Sequence, residues 1–119
     1  MNVSGFQIAQ SRPGNTSAAT LFTASEVLTE VMAIFIANTT SSAATFRLFH
    51  DNDGTTYSAD TALYYDVSIP ANSTFELSSG TNGAGISVRP GGSIGIRSGT
   101  ADALNFTLYG QPQDIARAR

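Results

Sequence analysis

A cluster of acidic and amide residues is the segment of this chain whose types and spacing best fit a chemical role. Residues 50–54 read His-Asp-Asn-Asp-Gly, and Asp60 follows shortly after them. Carboxylates one residue apart can place oxygen atoms around a hard cation such as calcium, so a cation held by Asp51, Asp53 and Asp60 is one interpretation. The cluster lacks the glutamate that closes a complete calcium loop, however, and its ligand order is wrong. We therefore predict a tight turn stabilised by Asp and Asn side chains, and we assign no metal.

The only histidine, His50, is the natural candidate for a general base. A catalytic triad needs a nucleophile, a histidine and an acid that converge in space. Asp51 is adjacent to His50 in sequence, but neighbouring residues of a strand point to opposite faces, and no nucleophile elbow is present. The chain also has no cysteine, which excludes thiol nucleophiles, disulfide bonds and zinc–thiolate sites. We therefore expect that the protein is not an enzyme and has no catalytic residues.

Two glycine-rich segments, residues 80–85 and 91–95, have the composition of phosphate-binding loops. Such a loop holds phosphate at the N-terminus of a helix that follows it directly. Strand-like sequences follow both segments here, so the glycines indicate turns and bulges instead. The sequence therefore predicts no cofactor.

Aromatic residues offer another kind of site, because carbohydrate-binding β-sandwiches use exposed aromatic faces. Tyr64, Tyr65 and Tyr109, together with Phe49, are the candidates for such a platform. In the alternative interpretation Tyr65 belongs to the core, and the others cover sheet edges or a subunit interface. Tyr64 and Tyr109 therefore remain candidate contact residues for a partner.

These side chains must be positioned by β-strands, because the second half of the chain alternates apolar and polar residues with a period of two. Only a pleated strand places alternate residues on opposite faces. The pattern predicts an antiparallel hairpin on either side of a turn at residues 99–102, with one face in a core and the other in solvent. The apolar members are Ile94, Ile96, Leu104, Phe106 and Leu108.

Two further segments predict strands in different surroundings. Residues 29–38 are apolar on both faces, which indicates a central strand that is covered on both sides. Residues 62–69 alternate, and the alternation predicts one face toward the core and one toward solvent. The predicted inward residues are Leu63, Tyr65, Val67 and Ile69, and the predicted outward residues are Tyr64, Asp66 and Ser68.

About eight such strands follow one another with turn signals at short, regular spacing, and no amphipathic helix separates them. The sequence therefore predicts an all-β fold, an antiparallel β-sandwich or jelly roll of about eight strands. We divide the chain into an N-terminal arm at residues 1–17, a β-sandwich domain at residues 18–110 and a C-terminal tail at residues 111–119. Residues 4–10 are either a first strand or part of the arm.

The surface composition excludes some classes of partner. The 119 residues carry a net charge of −3, and charged residues make up only 13% of the chain. This balance is too acidic for a protein that binds nucleic acid by neutralising phosphates. No signal peptide is recognisable, and no apolar stretch approaches the roughly 20 residues of a membrane span. A surface rich in Ser, Thr, Asn and Gly favours a protein that is packed against neighbours.

Several stretches, taken in order, resemble a known group of proteins. Residues 18–23 and 31–40 are a strand, a turn and a long apolar strand that ends in Asn-Thr. Residues 42–57 (SAATFRLFHDNDGTTY), 62–77 (ALYYDVSIPANSTFEL) and 92–110 (GSIGIRSGTADALNFTLYG) follow. Their order is similar to that of small β-sandwich virion proteins of tailed bacteriophages. The resemblance covers residues 18–110 and consists of strand and turn patterns.

The resemblance implies a mechanical function. Members of the group serve as capsid decoration (cement) proteins or as tail-associated components. The first role implies a protein at the capsid surface of the virion, made in the host cytoplasm, that bridges and stabilises subunits of the major capsid protein. Weak contacts repeated on a fixed lattice give such a protein high avidity, and a homo-oligomer, a trimer or dimer, is expected. The alternatives are a tail, neck or fibre component and a carbohydrate-binding module.

The resemblance carries no catalytic residues, so the candidate functional residues are contacts to another virion protein. The arms at both ends are expected to reach the lattice, with arginines that pair with carboxylates of the partner. The candidate contact residues are Arg12, Tyr64, Tyr109, Ile115, Arg117 and Arg119.

Overall fold

A computed structural model describes residues 6–78 and 85–113 of the chain. Nine β-strands run through these residues, and a single 3₁₀ turn at Ala59–Thr61 precedes the fifth strand. No helix in the described ranges is long and apolar enough to cross a membrane. The strands are β1 (Phe6–Ser11), β2 (Ala19–Thr23), β3 (Leu28–Asn38), β4 (Ala44–Asp51), β5 (Ala62–Ile69), β6 (Thr74–Ser78), β7 (Ile86–Val88), β8 (Ser93–Ser98) and β9 (Leu104–Gln113).

The strands form two antiparallel sheets that pack face to face, which confirms the predicted all-β sandwich. The first sheet has the order β1-β9-β3-β6, with β7 also paired to β3, and the second has the order β2-β8-β4-β5. Without the short β7, the pairs are nested: β1 with β9, β2 with β8, β3 with β6 and β4 with β5. This nesting is the topology of a jelly roll.

The core lies between the two sheets and is built by the inner faces of their strands. The predicted alternation is confirmed, because Ile94 and Ile96 of β8 and Leu104, Phe106 and Leu108 of β9 are buried in this core. The predicted hairpin is wrong: β8 pairs with β2 and β4 in the second sheet, whereas β9 pairs with β1 and β3 in the first, so the turn at residues 99–102 crosses between the sheets. Alternation determines which face of a strand is buried but not which strand it pairs with. Alternation with a period of two thus gives each sheet one apolar face, and burying both faces together stabilises the fold. The largest side chains buried in this core are Val31, Ile34, Ile36, Phe46, Leu48, Ile69, Ile94, Ile96, Leu104, Phe106 and Leu108.

The long strand β3 is central, as predicted, since β9 pairs along one side of it and β6 and β7 pair along the other. A bulge between Val31 and Ala33 shifts its register against β9, so that Val31 and Ile34 both face the core. The opposite face carries half-buried side chains such as Phe35. No described layer of the chain lies over that face, so it forms part of the outer surface of the sheet. The prediction that β3 is covered on both sides is therefore wrong: its outward apolar residues are only half-buried, by neighbours on the same face such as Tyr109.

The predicted orientation of β5 is wrong in its first half. Leu63 and Tyr65 are 45% and 48% exposed, whereas Tyr64 packs against the core. The reason is a β-bulge: Phe46 pairs with Val67 and Leu48 pairs with Tyr64, so two residues of β5 lie opposite one residue of β4. An extra residue reverses the alternation on one side of the bulge.

Both ends of the sandwich extend beyond the predicted domain limits of 18 and 110. Strand β1 lies within the predicted arm and pairs with β9, so residues 6–11 are an edge strand of the first sheet. Strand β9 continues to Gln113 and pairs there with the start of β3. The remainder of the predicted tail, residues 114–119, lies outside the described residues.

Candidate interaction surface

The acidic cluster after β4 is a turn, as predicted. The Asp51 carboxylate accepts hydrogen bonds from the backbone N–H groups of Thr56 (2.7 Å) and Asp53 (3.1 Å). These two bonds hold the pKa of the Asp51 carboxyl below its ordinary value. Both carboxylate oxygens therefore stabilise the loop. In the described ranges, no three His, Asp or Glu side chains come close enough together to hold a metal ion.

His50 lies at the end of the core and Asp51 lies on the opposite face of the same strand. His50 pairs with Ile94, whose side chain points inward, and Asp51 pairs with Ser93. The His50 Nε2 atom is buried without a hydrogen-bond partner among the described residues. Burial lowers the pKa of the His50 imidazole, so the ring is neutral at pH 7. Within residues 6–78 and 85–113, no carboxylate forms a hydrogen bond with the imidazole that would orient it as a general base.

The loop at residues 52–61 folds back over the outer face of the second sheet. Tyr57 from this loop packs on Phe49, with ring centroids 5.7 Å apart. The Tyr57 hydroxyl donates a hydrogen bond to Ser93 Oγ (2.8 Å) and is 2.7 Å from Thr20 Oγ1. Phe49 is consequently buried, although its side chain points away from the main core.

The aromatic residues suggested for a carbohydrate platform do not come together. Tyr64 packs inward against Phe46 and Phe75, with ring centroids 6.0 Å and 5.3 Å away. Tyr65 lies on the outer face of the second sheet, whereas Tyr109 lies on the outer face of the first. Because Phe49 is buried under the loop, the four rings occupy four separate places in the fold.

Of the other residues predicted to contact a partner, Arg12 and Tyr109 lie within the part of the chain that the structure describes. The Arg12 guanidinium donates to the carbonyl oxygen of Asp102 from Nε (3.1 Å) and Nη2 (2.7 Å). Arg12 therefore fastens the segment after β1 to the turn between β8 and β9. Tyr109 is half-buried against Phe35 in an edge-to-face contact, with centroids 5.7 Å apart. Ile115, Arg117 and Arg119 lie outside the described residues.

Three of the four charged residues in the strands of the second sheet, Arg47, Asp66 and Arg97, form an organised cluster on its outer face. The bulge in β5 places both Tyr65 and Asp66 opposite Arg47. Arg47 donates to the two Asp66 carboxylate oxygens from Nε (2.7 Å) and Nη2 (3.1 Å), and its guanidinium carbon lies 3.8 Å from the centre of the Tyr65 ring. Asp66 adopts a left-handed backbone conformation with φ of 55° at this bulge. We call Arg47, Tyr65, Asp66 and Arg97 the arginine patch.

Arg97 is the fourth member of the arginine patch. It pairs directly with Arg47 across β4 and β8, and its Nη1 lies 3.7 Å from the Asp66 carboxylate. That separation is an ion pair but is too long for a hydrogen bond. Hydrogen bonds from Arg47 lower the pKa of the Asp66 carboxyl, so the patch holds two cations and one anion at neutral pH.

The charged residues in the strands of the first sheet are all acidic. The strands of this sheet carry only two charged residues, Glu30 and Glu76, and the register places both beside the outward-facing side chains of β3. Glu30 accepts a hydrogen bond from Ser87 Oγ (2.7 Å). The half-buried pair of Phe35 and Tyr109 lies on the same face. The two outer faces of the sandwich therefore differ in both charge and composition.

The arginine patch was not predicted from the sequence. The available signal was the outward position of Arg47 and Arg97 in two strands that alternate clearly. Their convergence depends on the pairing of β4 with β8 and on the bulge in β5, and neither follows from local sequence.

The fold and these surfaces define an all-β protein of jelly-roll topology with a partly exposed arginine patch on the outer face of its second sheet. No family model, curated protein or solved structure matches the chain.

Proposed function

We propose that this chain is a structural protein of a tailed-phage virion, a capsid decoration protein that bridges and stabilises subunits of the major capsid protein. The observation that carries the proposal is the nested strand pairing of the jelly roll. Jelly rolls recur in viral capsid proteins and in lectins, so this support is an analogy of fold. The stretches that resemble small phage virion proteins supply most of strands β2 to β6, β8 and β9 of this fold.

The use of polar side chains in the described residues also supports a structural role. Asn38, Asp51 and Ser93 are buried, and each forms hydrogen bonds that hold turns or loops in place. The Nε2 atom of His50, the natural candidate for a general base, is buried at the end of the core without a hydrogen-bond partner in the part of the chain that the structure describes. A rigid sandwich with polar groups arranged in this way suits a protein that acts by contact.

The surface chemistry is consistent with binding to other proteins. Tyr and Arg are the residue types that most often dominate the energy of protein interfaces, and the arginine patch contains both. The outer face of the first sheet adds a second aromatic pair, Phe35 and Tyr109. A decoration protein needs several such contacts, since its affinity for the lattice is the combined effect of many weak interfaces.

The proposal is tested by locating the chain in purified particles of the phage that encodes it. Quantitative mass spectrometry should find it at a copy number comparable with that of the major capsid protein, and immunogold labelling should place it on the head. Heads from a mutant without the gene should rupture at a lower temperature than wild-type heads, and adding the purified chain should restore their stability.

Other outcomes would overturn this role in distinct ways. A few copies confined to the tail or neck would identify a tail component instead. Absence from particles, together with retention of the purified chain on a glycan array, would identify a carbohydrate-binding module.

A further inference from the structure

We infer that the arginine patch is the surface through which this protein docks on its virion partner, and that the partner presents a carboxylate beside an apolar side chain. This inference rests on the proposed function, because it names the contact surface and the chemistry of the capsid subunit that the surface recognises. The juxtaposition that carries it is the pair of Arg47 and Arg97, which face each other across two strands with only Asp66 between them.

The charges in the patch are incompletely matched. Both Asp66 oxygens accept short hydrogen bonds from Arg47, which leaves Arg97 with only a 3.7 Å ion pair to that carboxylate. Arg97 donates from Nε to the carbonyl oxygen of Thr16 (2.7 Å), and this bond fixes the orientation of its guanidinium. Its terminal nitrogens make no hydrogen bond to any residue that the structure describes. A second carboxylate can therefore bind at Arg97 without disrupting the existing pair.

The patch is organised before any partner arrives. Arg47 is held on one side by the Asp66 carboxylate and on the other by the Tyr65 ring. Fixing long side chains in advance lowers the entropy that binding would otherwise cost. The bulge that creates this arrangement requires Asp66 to adopt a left-handed conformation, and bulges often redirect side chains next to functional sites. Exposed ion pairs contribute little to folding, so stability alone does not account for the arrangement.

Exposed apolar side chains lie beside the arginine patch, on β5, which is an edge strand of the second sheet. Among the described residues only three large hydrophobic side chains are highly exposed, and two of them, Leu63 and Tyr65, belong to β5. The third is Phe6, on β1 of the first sheet. Aromatic and aliphatic surface next to arginine is the composition of an interface hot spot.

The charge of the patch selects the kind of partner. One unit of excess positive charge is too little for a nucleic acid, whose binding depends on neutralising several phosphates. It does complement a single Asp or Glu side chain, and a planar guanidinium suits the two oxygens of a carboxylate. The exposed Tyr65 and Leu63 add a requirement for an apolar neighbour. Together these features specify an acidic and partly apolar protein surface.

The experiment measures binding of the purified full-length chain to phage heads from a mutant that lacks the gene. The test variant is Arg97→Glu, and the control is Arg89→Glu, which makes the same change in net charge at an exposed residue outside the patch. We expect Arg97→Glu to reduce head occupancy at least tenfold at subsaturating concentration while Arg89→Glu binds like the wild type. Higher salt should weaken binding of the wild type more than that of Arg97→Ala. Circular dichroism and thermal melting establish that each variant is folded.

A second measurement maps the contact directly and does not depend on loss of binding. Replacement of Tyr65 by the photocrosslinker p-benzoylphenylalanine should give a covalent adduct with a capsid subunit, whereas the same replacement at Tyr109 should not. Cross-linking from position 109 alone, or wild-type occupancy by Arg97→Glu, would overturn the inference and leave the virion role intact. Failure of the wild-type chain to bind the heads would overturn both.

Discussion

The ring of Tyr57 occupies the space that a side chain at Gly95 would need. A Cβ atom built at Gly95 would overlap the Tyr57 ring, and Gly95 lies opposite Phe49 in the strand register. The glycine therefore lets the loop at residues 52–61 lie flat on the second sheet and bury Phe49 beneath it. A small secondary core on the outer face of the sheet depends on this one contact.

Substituting Gly95 tests that dependence. Gly95→Ala should displace Tyr57 and destabilise the protein by about 2 kcal/mol, the usual range for overpacking in a well-packed site. Equilibrium urea unfolding measures the change. In the background of Tyr57→Ala, where the ring is already absent, Gly95→Ala should cost much less. Equal costs in the two backgrounds would mean that the ring and the glycine are not coupled.

The buried side chain of Asn38 should be one of the most sensitive positions in the fold. Its amide nitrogen donates toward the carbonyl oxygens of Ser42 (2.9 Å), Ile69 (3.0 Å) and Pro70 (3.2 Å), and its oxygen accepts from the Thr40 backbone N–H (3.0 Å). One residue thus joins the turn after β3 to the turn after β5. Burying polar groups without partners is costly, so its removal affects both turns.

We expect Asn38→Ala to destabilise the protein by about 3 kcal/mol, because several buried groups lose their partner together. Asn38→Asp keeps the shape but replaces the donor with an oxygen that faces three carbonyls, so at pH 7 it should be no more stable than Asn38→Ala. Thermal unfolding followed by circular dichroism measures both variants. The matched control is Asn105→Ala on the outer face of β9, expected within about 0.5 kcal/mol of the wild type. A comparable loss at both positions would contradict the assigned role of Asn38.

His50 should make stability depend on pH in the mildly acidic range. Burial lowers the pKa of its imidazole in the folded protein, whereas in the unfolded chain the group titrates near its ordinary value of about 6.5. Below that pH the unfolded state binds the proton more readily than the folded state does, so stability falls as pH falls. We expect the unfolding temperature of the wild type to decrease between pH 7.5 and pH 5.

Replacing the imidazole should remove this dependence. His50→Leu fills a similar volume without a titrating group, and it also removes the partnerless Nε2 atom. Its unfolding temperature should therefore change less than that of the wild type over the same pH range. Asn105→Ala, which keeps the histidine, should retain the full slope. An unchanged slope in His50→Leu would assign the pH dependence to other groups.

Local alternation was sufficient to predict the class of fold. The inward faces of β8 and β9 and the central position of β3 follow directly from periodicity and from the length of apolar runs. The predicted hairpin between β8 and β9 did not follow, because alternation does not specify pairing partners and the two strands lie in opposite sheets. The orientation of β5 did not follow, because an inserted residue at a bulge reverses the alternation and its position depends on the partner strand. For this reason Tyr65 was predicted to face the core and Tyr64 to face solvent, which is the reverse of their positions in the structure.

The candidate site was harder to predict than the fold. Arg47, Asp66 and Arg97 are separated by up to about fifty positions in sequence, and only the pairing of three strands brings them together. Loop contacts are equally non-local, as the burial of Phe49 by Tyr57 illustrates. Such features are set by tertiary pairing, which a single sequence does not specify at the level of individual residues.

The end of β9 allows the structural and attachment roles of the C-terminal segment to be separated. Gln111, Pro112 and Gln113 pair with the first three residues of β3, whereas residues 114–119 follow the last described pair. A chain ending at residue 113 keeps every described strand pair and should unfold at the wild-type temperature. A chain ending at residue 110 loses the pairing at Leu28–Glu30 and should be about 1–2 kcal/mol less stable, since each lost hydrogen bond contributes about 1 kcal/mol.

The same truncations test whether residues 114–119 contact the capsid. If they do, the chain ending at residue 113 should occupy fewer sites on heads than the full chain, although the two unfold at the same temperature. Equal occupancy by the full chain and by the chain ending at residue 113 would exclude Ile115, Arg117 and Arg119 as contacts and leave attachment to the folded surfaces.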